Sequence, residues 1–224
     1  MSSILKVDTI QDTGGNTIIS SDGAGNVTTS NLADNSVSLA KLTATGTKDA
    51  TTFLRGDNTF AEVVSGLTVA DQWRLTSDKA NVDTNFTAFD SNLERVDTGG
   101  QGTIGSAMSF ESGTGNFTFP ATGIYLVKGE VSYAKDANRR YTGVGIKVTT
   151  NNSNYTTIAE GYETINPVDG NNSYSYVSAS SLIDVTDTTN VKVRFGGIAP
   201  SAITALGNTS INLTCFTFIR LGDT

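Results

Sequence analysis

The residues best suited to acid–base chemistry in this 224-residue chain are its carboxylates, because the sequence contains no histidine. The absence of histidine removes the commonest general base near neutral pH, the commonest transition-metal ligand and any Ser-His-Asp triad. A pair of carboxylates at a defined separation can still cleave a glycosidic bond. The acidic residues available for such a pair are Asp71, Asp90, Glu94, Glu111, Glu130, Glu160 and Glu163. Nothing in their spacing brings two of them together, so we expect a protein that is not an enzyme.

Metal and disulfide chemistry is also poorly supported by the sequence. Residues 22–26 and 169–171 combine carboxylate, amide and glycine, as calcium loops do, but lack the carboxylate density and closing glutamate of an EF-hand. We interpret both as turns and predict no metal and no cofactor. Cys215 is the only cysteine, which excludes a disulfide within the chain. It lies in an apolar run and is predicted to be a small buried hydrophobic residue.

A group of tyrosines near asparagine-rich loops is the best candidate for ligand recognition. Tyrosine presents a flat apolar ring together with a hydroxyl, which suits sugar faces and protein epitopes. Tyr174 and Tyr176 lie two residues apart on one side of a strand, and they either join this group or face the interior of a sandwich. The predicted receptor-binding residues are Tyr155, Tyr162, Asp169, Asn171 and Asn172.

The charge balance limits the classes of partner that the chain is expected to bind. Aspartate and glutamate outnumber lysine and arginine by 22 to 15, for a net charge of −7, and only 17% of the residues are charged. Without a basic footprint for phosphates, we expect no binding to nucleic acid. No apolar run is long enough to span a bilayer, and the first residues lack the basic and apolar regions of a secretory signal. We therefore expect no membrane insertion.

The elements that must position these side chains are short strands. Residues 117–119 place two phenylalanines on one side of a strand, Pro120 and Gly123 turn the chain, and residues 124–133 resume an apolar–polar alternation. Short strands between Gly, Asn and Asp clusters recur through residues 66–224, which we call the head. This pattern predicts an all-β fold with a jelly-roll β-sandwich head. The predicted strands are residues 72–75, 93–96, 108–110, 115–119, 123–133, 141–149, 155–159, 174–185, 190–195 and 210–221.

Two thinner parts precede the head. Residues 1–30 are predicted to form a small hairpin around a Thr-Gly-Gly-Asn turn, and a lone hairpin is marginal in water, so it needs a neighbour. The apolar residues of its first strand are the predicted anchor: Ile4, Leu5, Val7 and Ile10. Residues 31–65 are too poor in apolar side chains to bury a core alone, so we expect an extended connector in which three copies intertwine.

The C-terminal run at residues 210–221 predicts how copies assemble. One side of this strand is expected to face the sandwich core with five residues: Ile211, Leu213, Cys215, Ile219 and Leu221. The opposite side carries Phe216 and Phe218, which would form an uncovered apolar patch in water. We therefore predict that both rings pack in a subunit interface near a threefold axis. The alternative is that they lie under a loop of the same chain.

Three blocks of the head, at residues 117–125, 180–193 and 216–221, carry a family resemblance. In this order they resemble the C1q/TNF-like jelly roll, a compact β-sandwich that is usually trimeric. The resemblance implies recognition or assembly, in a homotrimer, rather than catalysis.

The segment Thr-Thr-Phe-Leu-Arg-Gly-Asp-Asn-Thr-Phe at residues 51–60 is similar to an element that recurs in phage tail and side-fibre proteins. Residues 5–12, 70–75, 91–95 and 218–224 also resemble fibre-like proteins of marine and cyanobacterial phages. The resemblance implies a virion fibre assembled in the host cytoplasm. Its N-terminus would anchor it to other virion proteins, and its head would attach to a host-surface glycan or protein. The alternative is a capsid or tail decoration protein that binds no receptor.

Overall fold

A computed structural model describes the protein at residues 9–21, 27–28, 43–62, 66–168 and 170–224. Every regular element in those residues is a β-strand, so the all-β fold class is confirmed. The chain divides into two units, Met1–Ser65 and Gly66–Thr224. Four predicted site residues lie outside the described residues: Ile4, Leu5, Val7 and Asp169.

The first unit contains a small antiparallel sheet and a separate hairpin. The strands of the sheet are, in order, β1 (Thr9–Gln11), β2 (Thr17–Ser21) and β3 (Val27–Thr28). The strands of the hairpin are β4 (Thr52–Leu54) and β5 (Phe60–Glu62). Between β1 and β2 the Asp12 carboxylate accepts hydrogen bonds from the backbone N–H groups of Gly14 and Asn16, which closes the turn. Ile10, the described member of the predicted anchor, is 48% exposed on β1.

The Arg-Gly-Asp tripeptide of the sequence lies in the turn between β4 and β5. The Asp57 carboxylate accepts hydrogen bonds from the backbone N–H of Thr59 at 3.1 Å and from its hydroxyl at 2.6 Å. Asn58 adopts the left-handed conformation at φ 63°. Because aspartate and asparagine favour tight turns, these contacts explain the residue types of the segment.

The head is a sandwich of two antiparallel sheets. The strands of the eight-stranded sheet are β6 (Val69–Leu75), β7 (Lys79–Val82), β9 (Leu93–Arg95), β10 (Ile104–Gly105), β13 (Gly123–Lys135), β16 (Ser173–Val185), β18 (Ile203–Ala205) and β19 (Cys215–Gly222). The strands of the six-stranded sheet are β8 (Thr87–Ala88), β11 (Ser109–Glu111), β12 (Asn116–Thr118), β14 (Arg139–Thr149), β15 (Thr156–Ile165) and β17 (Lys192–Ile198). In the first sheet β10, β6, β19, β13 and β16 are successive neighbours. Strands far apart in sequence thus pair side by side, as a jelly roll requires.

The core between the sheets follows the alternation of the strands. In β13 every second residue from Tyr125 to Tyr133 is buried, as the sequence predicts. Phe117 lies at the centre of an aromatic cluster, and pairs of this kind each add about 0.5–1.5 kcal/mol beyond the burial of their area. The rings at centroid distances of 5.0–6.0 Å from Phe117 are Trp73, Phe110, Phe195, Phe216 and Phe218.

The two faces of β19 are the reverse of the prediction. Phe216 and Phe218 are fully buried between the sheets, whereas Leu221 is exposed on the other side. In the register with β13, Phe218 lies opposite Val127 and Phe216 opposite Gly129, and opposite residues of an antiparallel pair share one face. Both rings therefore belong to the core of their own chain. The prediction that they form a subunit interface is wrong, because one chain covers them completely.

The loop before β19 makes this strand shorter than predicted. The side-chain oxygen of Asn208 accepts hydrogen bonds from the backbone N–H groups of Ser210 and Ile211, and the strand begins only at Cys215. Ile211 is exposed and Leu213 is half-buried. Neither belongs to the buried core, so the prediction that both face it is wrong.

Candidate functional site

The outward face of the eight-stranded sheet carries a row of apolar side chains across five strands. Strand register places five residues beside one another, in the order Ile104, Ala70, Ile219, Leu126 and Leu182. We call these five residues the apolar row. None of them belongs to the buried core, and Leu182 is 62% exposed. A continuous apolar patch of this kind is typical of a surface that another protein covers.

A cleft of about 540 Å³ lies towards the other end of the same face. The residues that line it are Ser132, Tyr174, Ser175, Tyr176, Leu206 and Leu213. Tyr174 and Tyr176 are 69% and 54% exposed, so the alternative in which they face the sandwich interior is wrong. The other side of β16 supplies the core instead, through residues such as Val177 and Ile183.

Between the apolar row and the cleft, Glu130 connects side chains from three strands. Its carboxylate accepts hydrogen bonds from the Lys128 ammonium at 2.7 Å, from the Tyr176 hydroxyl and from the Cys215 thiol at 3.7 Å. Burial acts to raise the pKa of Glu130, but the hydrogen bonds from Lys128 and Tyr176 outweigh it, and the pKa lies below its ordinary value. Burial and the neighbouring Glu130 charge raise the pKa of the Cys215 thiol to about 12, so this thiol is no nucleophile at neutral pH.

The carboxylates considered for catalysis are held in structural contacts. Asp71 is buried, and it accepts hydrogen bonds from the Trp73 indole at 3.0 Å, the Met108 backbone N–H at 2.9 Å and the Arg95 guanidinium at 3.2 Å. Other carboxylates are bonded to a neighbouring side chain: Asp90 to Lys79, Glu94 to Arg74, Glu111 to Asn116 and Glu160 to Tyr162. Within the described residues, no group of three or more Cys, Asp and Glu side chains is suited to a metal ion. In the same residues no helix is long and apolar enough to cross a membrane.

The structure separates the predicted receptor-binding residues. Tyr155 lies just before β15 and Tyr162 near its end, and seven residues of extended strand span about 23 Å. Asn171 and Asn172 follow β15 in the connection to β16, so they lie beyond the Tyr162 end of the strand. Tyr155 is therefore not brought together with the other predicted residues.

Tyr162 is held in place by its neighbours on the six-stranded sheet. Its ring covers Gly143, where a Cβ atom would lie 2.8 Å from the ring, and meets the Tyr141 ring edge-on at 5.6 Å. The hydrogen bond from its hydroxyl to Glu160, together with partial burial, raises the pKa of Tyr162 to about 12. A shallow cleft of about 160 Å³ beside it is lined by Arg140, Tyr141, Tyr162, Glu163 and Thr164.

Sequence reasoning missed both surfaces that the structure builds across strands. The apolar row is formed by residues that alternate out of phase with the core, such as Leu126 beside Tyr125 and Val127. A second group, the cations Lys147 and Arg194, becomes adjacent through the pairing of β14 with β17. The sequence does show apolar and basic residues on the outward sides of predicted strands. Alternation alone does not show which of these residues share a surface, because it does not give the pairing of the strands.

Comparison with known proteins identifies the fold of the head. No protein family and no curated protein matches the sequence. Among solved structures, Eiger TNF from S. frugiperda aligns over 71% of this chain and 96% of its own, with 11% identity and a TM-score of 0.53. Murine APRIL at pH 8.0 aligns over 68% of this chain and 98% of its own, with 12% identity and a TM-score of 0.47. The likeness to the Eiger structure shows that the head has a TNF-like jelly-roll fold, and the C1q/TNF-like resemblance is confirmed at the level of the fold.

Proposed function

We propose that this chain is the homotrimeric structural protein of a virion fibre, anchored by its N-terminal part, whose head attaches to a host-surface glycan or protein. The apolar row is the observation that carries the proposal. Five cross-strand neighbours form one uncovered strip on the eight-stranded sheet, while the other side of that sheet is fully used in the core. The partner that we propose for the apolar row is a second copy of the same chain.

The apolar row and the cleft offer enough buried area to stabilise an assembly. Full burial of a leucine or isoleucine side chain contributes about 1.5–3 kcal/mol. Leu182 and Ile104 are about half exposed or more, and Tyr174 and Tyr176 line the cleft towards the other end of the same face. Covering these side chains therefore stabilises the assembly by several kcal/mol per copy. The number three rests on the resemblance to the C1q/TNF-like jelly roll.

The first unit supports the fibre part of the proposal. Its three strands have only three, five and two residues, and Ile10 and Ile19 are exposed, so we infer that this sheet needs a partner to bury its apolar side chains. The element at residues 51–60, which resembles phage fibre sequences, forms the β4–β5 hairpin. We infer that this unit joins the head to other virion proteins and that the protein assembles in the host cytoplasm. No catalytic role is part of the proposal.

The mass of the protein in solution tests the assembly. The wild type is expected to sediment at about 70 kDa, three times the chain mass of 23.4 kDa, at micromolar concentration. The double substitution Leu182→Ser/Ile219→Ser is expected to yield folded single chains, because it replaces two of the large side chains of the apolar row and leaves the buried core intact. Ile158→Ser, at a partly exposed isoleucine on β15, is the matched control and should leave the mass unchanged. A folded wild-type single chain, or a double variant of unaltered mass, would refute the assembly.

Adsorption to host cells tests the attachment role separately. The isolated trimer is expected to bind host cells and to compete with intact particles for them. A protein that stabilises particles but never binds cells would be a decoration protein, and the attachment role would be wrong.

A further inference from the structure

The unpaired cations of the head gather on two neighbouring strands. Six of its eleven lysines and arginines form ion pairs: Arg74, Lys79, Arg95, Lys128, Lys135 and Arg220. The other five carry no ion pair among the described residues, and all of them lie on β14 or β17: Arg139, Arg140, Lys147, Lys192 and Arg194. In a chain with a net charge of −7, this segregation leaves a basic surface within an acidic molecule.

Three of these cations form one strip on the outward face of the six-stranded sheet. Lys147 lies directly opposite Arg194, and Lys192 lies two residues from Arg194 on the same side of β17. All three alternate with buried residues such as Ile146 and are themselves half-buried. Strand geometry separates their Cα atoms by about 5 Å across the sheet and about 7 Å along it. We call these three residues the cation strip.

The Arg194 guanidinium is held in a fixed orientation. It stacks on the Tyr155 ring at 3.9 Å, and its Nε donates to the Asn116 side-chain oxygen at 2.6 Å, which also accepts from the Tyr155 hydroxyl. The Glu111 carboxylate accepts hydrogen bonds from Thr114 and Asn116, and these bonds, together with the charges of Lys192 and Arg194, hold its pKa below the ordinary value. Beyond the contact of the guanidinium with Tyr155, the two terminal nitrogens of Arg194 meet no acceptor among the described residues. They form a preoriented fork that fits a carboxylate or sulfate.

Lys147 repeats the arrangement one strand away. Its ammonium lies 4.3 Å from the centroid of the Phe86 ring. That ring in turn lies against Gly145 and Gly196, where a Cβ atom would be 3.2 and 2.6 Å from it, so the absence of side chains lets the ring lie flat on the sheet. The strip therefore alternates flat aromatic rings with cations.

We propose that the cation strip, with Tyr155 and Phe86, binds the acidic groups of an anionic polysaccharide, through carboxylate or sulfate oxygens. This inference rests on the proposed attachment role and names the class of ligand. The strip lies on the sheet opposite the apolar row, so it stays open when copies cover that row. Phosphate-rich duplexes need a larger basic footprint than three cations on an acidic protein provide. Extended peptides need a free strand edge or a groove, whereas β14 and β17 are paired on both sides.

Binding of the purified full chain to immobilised polymers tests the proposal. The probes are heparin for sulfate, polygalacturonate for carboxylate, dextran as the neutral polymer and poly-L-glutamate as the acidic peptide. Wild-type protein is expected to bind heparin, polygalacturonate or both, more weakly as salt rises, and to bind neither dextran nor poly-L-glutamate. Arg194→Ala should weaken binding by about tenfold or more, and Arg194→Lys should weaken it as well, because lysine lacks the bidentate fork.

Two further variants keep the test independent of folding. Lys192→Ala removes a cation that makes no hydrogen bond or ion pair among the described residues, so it should weaken binding without changing the urea midpoint. Lys135→Ala removes the same charge from β13, on the other sheet, and should leave binding unchanged. Absence of binding to both acidic polysaccharides, equal binding to poly-L-glutamate, or equal losses in Lys192→Ala and Lys135→Ala would overturn the proposal. Cell adsorption that persists in these variants would leave the attachment role standing without this site.

Discussion

Gly129→Ala adds a methyl group between the two sheets of the head, where they pack closely. A Cβ atom at this position would lie 2.8 Å from Cδ1 of Phe195 and 3.2 Å from Cγ2 of Val144. The Phe195 ring has no room to retreat, because it stacks on Phe216 at 4.2 Å and meets the edge of Phe117 at 5.8 Å. Overpacking of this kind costs about 1–3 kcal/mol. Replacement of glycine by alanine also restricts the unfolded chain, which offsets about 0.4–1 kcal/mol of that cost.

The expected net loss for Gly129→Ala is therefore about 1–2 kcal/mol in the free energy of unfolding. Urea denaturation measures it at one fixed protein concentration, so that the proposed assembly affects variant and wild type alike. Gly102→Ala is the matched control, because a Cβ atom there has no neighbour within 4 Å, and it should be neutral. In a double-mutant cycle, Phe195→Leu should relieve part of the clash and give a coupling of about 1 kcal/mol. A fully stable Gly129→Ala variant, or a cycle without coupling, would refute the packing of Gly129 against Phe195 in the core.

Three further outcomes follow from buried polar groups. Asp71→Ala leaves the Arg95 guanidinium and the buried backbone N–H of Met108 without their acceptor. It should lower the free energy of unfolding, measured by urea denaturation, by about 3–5 kcal/mol, and a loss below about 1 kcal/mol would contradict the buried pair. The Cys215 thiol, with its pKa raised to about 12, should react with a thiol reagent at pH 8 far more slowly in the folded protein than in urea, and equal rates would contradict its burial. Because the folded pKa of Glu130 lies below its ordinary value of 4.5, the stability it contributes is present above about pH 4.5 and lost as the pH falls through the folded value. In Glu130→Gln, the free energy of unfolding should therefore fall less steeply as the pH is lowered below about 4.5. Equal pH dependence in variant and wild type would argue against the contacts of Glu130 with Lys128, Tyr176 and Cys215.

The longer strands of the head were predictable because their alternation is local. Residues 123–133 and 174–185 were predicted as strands, and the structure extends them only slightly, to Gly123–Lys135 and Ser173–Val185. The short strands β7 and β18 were not predicted. β7 pairs with β18 at two register positions, and β18 pairs with β13 at two more, so tertiary contacts rather than alternation create these strands.

The candidate site shows where local reasoning reaches its limit. The residue type predicts Tyr162 as a binding residue, and it lies exposed on the head. The sequence predicts Tyr155 in the same site, whereas about 23 Å of strand separates the two residues. Tyr155 instead supports Arg194, a residue 39 positions later in the chain. Residue types predicted what each side chain can bind, whereas strand order decides which of them share a surface.

The sequence by itself determined the all-β class, the absence of histidine chemistry and the existence of a strand at the C-terminus with large apolar residues on both sides. Alternation establishes that Phe216 and Phe218 share one side, but it is symmetric and does not say which side is inward. The pairing of Phe218 with Val127, 91 residues earlier, decides that the phenylalanines fill the core and that Ile219 and Leu182 remain outside. Only the tertiary structure supplies that pairing, because the surface available for assembly is what remains after the two sheets have closed on their core.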